Sequence, residues 1–247
     1  MKETQEFMNR FQDGDYVGAF SSIENTEAKV WNFTQPVAFV GRNPREYFGD
    51  KLQDEHICDA EIAKKLQSNP IGKIVEEAKK HRIVIVNEAH DQARDRAFIA
   101  KIAQALRPEG FSIYAAETFA TRDVSVDAWQ AEIMQRGYPI NHDGYYIREP
   151  MFGQLVRTVL ELGYKPVAYE SRLPYDKSIS RAERIKRREL EQTKNLIENA
   201  LDKYPDEKIL IHVGYSHARE KEDRRGNLWM AHFLKEQTGE DPLTISQ

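Results

Sequence analysis

A single cysteine, Cys58, is all the sequence holds, which excludes an internal disulfide framework and leaves no CxxC pair for a structural zinc site. Long apolar runs are also missing. The longest aliphatic stretch is Ile83-Val84-Ile85-Val86, far below the ~20 residues a membrane helix requires, so no membrane span is expected. The opening residues Met1 to Met8 lack the apolar core of a secretion signal, and the expected location is the cytoplasm, or the periplasm or exterior if a signal was removed. Charge of one sign is not in excess either: 36 Lys and Arg face 40 Asp and Glu, a net charge of −4. Nothing global therefore draws the chain to nucleic acid or anionic lipid, and the expected partner is a small-molecule substrate or ligand. Walker A, G-x-G-x-x-G and HExxH patterns are absent too, which removes the usual signals for nucleotide binding and for a zinc peptidase helix.

What is present is enough for a folded core. The chain has 247 residues, 40% of them hydrophobic and 31% charged, suited to one large or two small domains. Residues 1–79 are polar with scattered aromatics and helical patches, Ile62-Ala63-Leu66 and Ile71-Ile74-Val75-Ala78, and read as a helical or irregular lead-in. From residue 80 to 247 the texture changes. Short β-rich runs at Ile83 to Val86, Phe111 to Ala116, Pro166 to Tyr169 and Ile209 to Val213 alternate with amphipathic stretches, which predicts an α/β fold with a largely parallel sheet flanked by helices. One crossover helix is expected over Ala93 to Leu106, with Phe98, Ile99, Ile102 and Leu106 on one stripe and Asp91 as N-cap. Another, over 151–162, carries Leu155, Val156, Val159 and Leu160 and closes on Gly163 as a left-handed C-cap.

Each apolar run ends in the same kind of residue. The first leads to Glu88 and His90, the second to Glu117, the third to Glu170, and the last to Gly214-Tyr215-Ser216-His217. In a parallel sheet all carboxyl ends lie on one edge, where ligands of open α/β folds bind. These acids and imidazoles are therefore expected to converge, with Glu88, His90, Glu117 and His217 lining one pocket. A glutamate after a strand commonly caps the next helix, and a lone histidine there commonly donates to a carbonyl; four strands ending alike point instead to a shared role. A histidine beside carboxylates is a competent general base near neutral pH. The same four residues, Glu88, His90, Glu117 and His217, are candidate ligands for a divalent metal such as Zn²⁺ or Mn²⁺.

A helix expected from Arg181 to about Tyr204 adds a second signal. Its face with Leu196, Ile197 and Ala200 also carries Glu189 and Gln192, with Arg181 and Arg188 at the margin. Burying these groups unpaired would be costly, so Arg188 and Glu189 are expected to face inward, Arg188 close to a strand-end carboxylate. The run of cations from Arg181 to Arg188 reads as a solvated helix face rather than a nucleic-acid contact. Gly214-Tyr215-Ser216-His217-Ala218 superficially resembles a G-x-S-x-G nucleophile elbow, but only Asp223 and His232 could come after Ser216 as triad partners, too soon for that fold.

Together, Asn87-Glu88-Ala89-His90-Asp91 after a strand, Glu117 after the second, the Arg188-Glu189-x-x-Gln192-x-x-Asn195-Leu196 helix and the late Val213-Gly214-Tyr215-Ser216-His217 resemble the superfamily uniting erythromycin esterases, ChaN-type haem-binding proteins and the TIKI/TraB group. The resemblance covers roughly residues 80 to 235, and Asn87 stands where that family usually has glycine. Carried over, it implies Glu88 and His90 as the first motif, Glu117 as the second acid, Arg188 and Glu189 as the helix pair and His217 as the late histidine. It also implies one of three activities: ester hydrolysis, metal-dependent peptide hydrolysis, or haem binding.

These residues support two expectations. The first is an ester or amide hydrolase, with His90 as general base, Glu117 orienting it, and His217 with Arg188 facing the oxyanion, while Glu170, Tyr215 and Gln192 contact the ligand. The alternative is a haem or other small-ligand-binding protein, with Tyr215, His217 or His90 as axial ligand.

Overall fold

A computed structural model describes residues 2–23, 33–49, 69–121 and 123–247; Cys58 and the Ile62-Ala63-Leu66 pattern lie outside the described residues. Four short helices come first: α1 (Lys2–Gln12), α2 (Tyr16–Ser21), α3 (Thr34–Phe39) and α4 (Pro44–Phe48). The body continues as α5 (Pro70–Ala78), β1 (Ile83–Glu88), α6 (Ala93–Leu106), β2 (Phe111–Ala116), α7 (Val126–Arg136), α8 (Pro150–Glu161), β3 (Lys165–Ala168), α9 (Arg181–Leu196), β4 (Lys208–Gly214), α10 (Met230–Thr238) and β5 (Leu243–Ile245). A π-helical turn, Ile197–Leu201, prolongs α9.

The five strands form one sheet in the order β3-β2-β4-β1-β5, with every pairing parallel. The fold is α/β, with helices on both faces. Strand alternation sorts the side chains: Val84, Val86, Tyr114, Ala116 and Leu210 pack under α5 to α8, while Ile83, Ile85, Ile113, Ile209 and Ile211 pack under α9 and α10. Both faces are covered, which is why the strands read as unbroken apolar runs. The short edge strand β5 is absent from the sequence-based expectation; at three residues, Leu-Thr-Ile, it carries too little pattern to stand out.

Asp91 does not cap α6. Gln92 occupies the cap position without a side-chain bond, and Asp95, in the first turn, accepts from the backbone N–H of Ala89 at 3.0 Å. The carboxylate tying down the start of α6 thus lies four residues later than the pattern suggested. Gly163 comes after α8 with φ +76°, the left-handed conformation that glycine tolerates best.

The N-terminal helices gather Phe7, Phe11, Ala19, Ile23, Phe33 and Phe39 into their own cluster. That cluster touches Tyr146, and the Phe39 ring meets Tyr145 at 5.4 Å. α5 instead packs on the sheet-side core through Ile71, Ile74, Val75 and Ala78.

Candidate functional site

β4 lies between β1 and β2, with β3 next to β2, so the ends that carry Glu88, Glu117, Glu170 and Gly214 are neighbours although distant in sequence. Paired registers place Glu88 opposite Gly214 and Ala116 opposite His212, and Glu117 continues the ladder by donating its N–H to the His212 carbonyl at 3.0 Å.

β1 stops at Glu88, and His90 sits in the turn beyond it. Its ring folds back, bringing Nδ1 to 2.9 Å from Glu88 Oε1 and Nε2 to 3.9 Å from Glu117 Oε2. Tyr146 stacks on it at 4.1 Å and 14°, fixing its plane. With Nδ1–H donated to the carboxylate, Nε2 is the basic nitrogen and faces Glu117.

Glu117 is almost fully buried. One oxygen, Oε2, accepts the Gly214 N–H at 2.6 Å, while Oε1 accepts from Arg188 Nη2 at 2.8 Å. Burial pushes its pKa up, but His217, His90 and Arg188 outweigh burial and hold it far below the ordinary carboxylate range. Gly214 owes its identity to this crowding: a Cβ there would stand 2.6 Å from His90 Nε2 and 2.9 Å from Glu117 Oε2.

His217 is buried against α9. Its Nδ1 lies 2.6 Å from Glu189 Oε2 and its Nε2 lies 3.4 Å from Glu117 Oε1. Burial disfavours its charge, yet Glu117 and Glu189 prevail and raise its pKa to about 10, so the ring is an imidazolium at neutral pH. Arg188 Nη1 approaches Nε2 at 3.2 Å, a hydrogen bond only for the neutral ring; in the charged state Nε2–H turns to Glu117. Glu189, 1% exposed, also accepts the Met230 N–H at 3.0 Å.

Arg188 is partly exposed, with its side chain 40% accessible. Its guanidinium grips Glu170 from Nε at 2.9 Å and from Nη2 at 2.5 Å. Gln192 Nε2 donates to the same Glu170 carboxylate at 3.0 Å. Glu88, His90, Glu117, Glu170, Arg188, Glu189, Gln192 and His217 thus form one connected group. Tyr215 stands apart, 47% exposed, with its hydroxyl donating to the Gln247 carbonyl at 3.1 Å.

Beneath Glu88 lies a layer that sequence reasoning missed. Arg96, wholly buried, donates to both oxygens of Glu88 at 2.8 and 2.9 Å and to Glu149 at 2.8 Å. His212 Nε2 lies 2.9 Å from Glu88 Oε2, within ion-pair distance although off hydrogen-bond alignment. Its Nδ1 meets the Tyr114 hydroxyl at 2.7 Å. Burial pushes the Tyr114 pKa well up, so this hydroxyl keeps its proton and donates to Nδ1, leaving Nε2–H for Glu88. Burial likewise pushes Glu88 up, but His212, His90 and Arg96 carry it well below its ordinary value. The signals were there: Arg96 sits on the stripe of Ile99 and Ala103, and His212 and Tyr114 interrupt apolar strands.

Metal and haem fit this donor set poorly. Both nitrogens of His217 face carboxylates, and a guanidinium already occupies the space between Glu117 and Glu170. Among the described residues no group of three or more His, Cys, Asp or Glu is arranged to hold a metal ion. An axial haem ligand needs an uncontested donor atom, whereas His90 Nε2 faces the Glu117 carboxylate 3.9 Å away and the Tyr215 hydroxyl is bonded to the Gln247 carbonyl. No helix among the described residues is long and apolar enough to cross a membrane.

No protein-family model matches this sequence, and no curated protein does. Solved structures with a similar fold do exist. The type III effector HopBA1 is 13% identical over 73% of this chain and 83% of its own, with a TM-score of 0.49. RRSP, a MARTX toxin effector domain from Vibrio vulnificus CMCP6, is 14% identical over 87% of this chain and 44% of its own, with a TM-score of 0.51. A structure of bacterial protein toxins is 11% identical over 88% of this chain and 46% of its own, with a TM-score of 0.51. The chain spans less than half the length of these last two, and at such identities the likeness concerns the fold.

Proposed function

We propose that this chain is a hydrolase of an ester or amide bond, built on the His/Glu group at the carboxyl edge of the sheet and allied to the erythromycin esterase, ChaN and TIKI/TraB superfamily. The observation that carries this reading is the placement of two histidines on the two oxygens of one buried carboxylate. His90 presents a basic Nε2 at 3.9 Å from Glu117 Oε2, and His217 presents a charged ring at 3.4 Å from Glu117 Oε1. An imidazole nitrogen on one oxygen of a buried carboxylate and a charged ring on the other supply the base and the cation that acyl hydrolysis uses.

In this reading His90 Nε2 removes a proton from water, with Glu117 orienting that water and offsetting the charge that develops on the ring. Water oxygen attacks the carbonyl carbon. The oxyanion forms against the His217 imidazolium and the Nη1 of Arg188, cations already in place before the reaction. Collapse expels the alcohol or amine, which takes the proton from His90. Glu88, fixed by Arg96 and His212, holds the ring in the tautomer with Nε2 free.

The test is a panel of chromogenic esters and peptides with wild type, His90→Ala and His232→Ala. His232 lies on α10, its Nδ1 bonded to the Glu220 carbonyl at 2.9 Å, away from the group. Removing a general base costs about 10²–10⁴ in rate, so His90→Ala should fall by that much and His232→Ala should stay within a few-fold. Absence of turnover on every substrate, or equal losses in the two variants, overturns the reading.

A further inference from the structure

Arg188 belongs to the reactive group on one side and to a separate cleft on the other. A cavity of about 700 Å³ opens between the 171–180 segment and the first two turns of α9. Leu173, Pro174, Tyr175, Ile179 and Ile185 give it apolar walls, and Leu173 and Tyr175 stand 52% and 73% exposed. Apolar side chains left open in a concave surface next to convergent polar groups are the usual composition of a ligand site.

Its charge is one-sided. Four arginines, Arg181, Arg184, Arg187 and Arg188, line it against a single acid, Asp176. Asp176 Oδ1 is taken up by the N–H and hydroxyl of Ser178 at 2.8 and 2.6 Å. Arg187 is paired with Glu183 at 3.0 Å and Arg188 with Glu117 and Glu170. Among the described residues Arg184 has no carboxylate within ion-pair distance: its Nη1 donates to the carbonyls of Asp176 and Ile179 at 3.1 and 2.5 Å, and its guanidinium lies over the Tyr175 ring at 4.9 Å. These bonds pin the outer wall to the helix, so the cleft is formed before any ligand arrives; among the described residues Arg181 has no ion pair, and Arg184 has only the longer-range attraction of Asp176.

We infer that this cleft is the substrate-recognition pocket of the proposed hydrolase, and that it takes an apolar chain or ring carrying a carboxylate. The apolar part lies along Ile179, Ile185 and Leu173, the anion meets Arg181 and the exposed edge of Arg184, and the labile bond is delivered past Arg188 to His90 and Glu117. This rests on the hydrolase reading for what happens to the ligand, but binding is separable from turnover.

The experiment uses the full chain with His90→Ala, titrated calorimetrically with N-octanoyl-L-aspartate, its uncharged diamide and L-aspartate alone, together with amide NMR shifts to locate the ligand. The charged acyl compound is expected to bind and to shift residues 173–185. The diamide should bind roughly tenfold more weakly, since one charge-assisted contact corresponds to about that factor, and free aspartate should not bind. Arg181→Gln should erase the preference for the charged compound, and Ile185→Asp, at a half-buried position, should abolish binding of both. Equal affinity for acid and diamide, an unchanged preference in Arg181→Gln, or shifts confined to other surfaces overturns the inference. Turnover by the wild type without this binding would leave the hydrolase reading standing and remove the cleft from it; binding without turnover would do the reverse.

Discussion

The Gly214 N–H donates to Glu117 Oε2 at 2.6 Å, so the backbone at the end of β4 supplies one of the bonds that hold the central carboxylate. The same glycine leaves free the space that His90 Nε2 and Glu117 would otherwise contest with a Cβ. An Ala at this position should therefore reorient both side chains while leaving the sheet paired. We expect Gly214→Ala to remain folded by circular dichroism and to lose most hydrolytic rate, with the His90 ring resonances displaced. Wild-type rate and unchanged His90 resonances would contradict the role assigned to the glycine.

Arg96 is the only arginine or lysine bonded directly to the buried pair Glu88 and Glu149 among the described residues. Truncating one member of a buried charge network leaves uncompensated charge and costs about 3–5 kcal/mol. Arg96→Met should lose stability on that scale in urea unfolding. The double variant Arg96→Met/Glu149→Gln should regain part of it, because one of the stranded anions is then neutral. A loss below about 1 kcal/mol would place these charges in contact with solvent.

Stability should decline on both sides of a plateau. His217, raised from 6.5 to about 10 by Glu117 and Glu189 against the opposing effect of burial, stabilises the fold fully below about pH 6.5. That contribution is lost as pH rises toward 10, because the folded state must surrender a proton it holds more tightly than the unfolded chain. Glu88 and Glu117 are shifted the other way, below their ordinary 4.5, so their contribution is complete above that value and disappears as pH falls beneath it. Unfolding free energy measured from pH 3 to 10 should be highest between about 4.5 and 6.5. In His217→Gln the alkaline decline should flatten; an equally steep decline would trace it to other groups.

Much of this was legible in the sequence, and the part that was not has a physical reason. Four strands and the acids after them were visible because both sheet faces are covered, which makes each strand an apolar run with an abrupt polar end. Glu189 and Gln192 were visible as polar residues on an apolar helix stripe. Strand order was not, since nothing local tells β1 to pair with β4. Tyr146 was invisible for a similar reason: it lies in a short 3₁₀ turn, Tyr146–Arg148, and is held against His90 by contacts distant in sequence, its N–H donating to Thr118 Oγ1 and its ring packing on the N-terminal aromatic cluster.

Tyr114 touches none of the reacting groups, yet it should fix the tautomer of the histidine beneath them. Its hydroxyl donates to His212 Nδ1 at 2.7 Å and thereby fixes the ring with Nε2–H toward Glu88 Oε2, 2.9 Å away. In Tyr114→Phe the buried Nδ1 loses its donor. If the ring keeps its tautomer, an unsatisfied acceptor costs about 1–3 kcal/mol. If the proton moves to Nδ1, the Nε2 lone pair faces the Glu88 carboxylate, and Glu88 loses one of the groups that keep it anionic. In the first case Glu88 keeps its donor and in the second it loses one. Imidazole ¹⁵N shifts of His212 tell the two tautomers apart, without any substrate. The expected outcome of Tyr114→Phe is a loss of about 1–3 kcal/mol in urea unfolding; a variant as stable as wild type would contradict the bond from Tyr114 to His212 Nδ1.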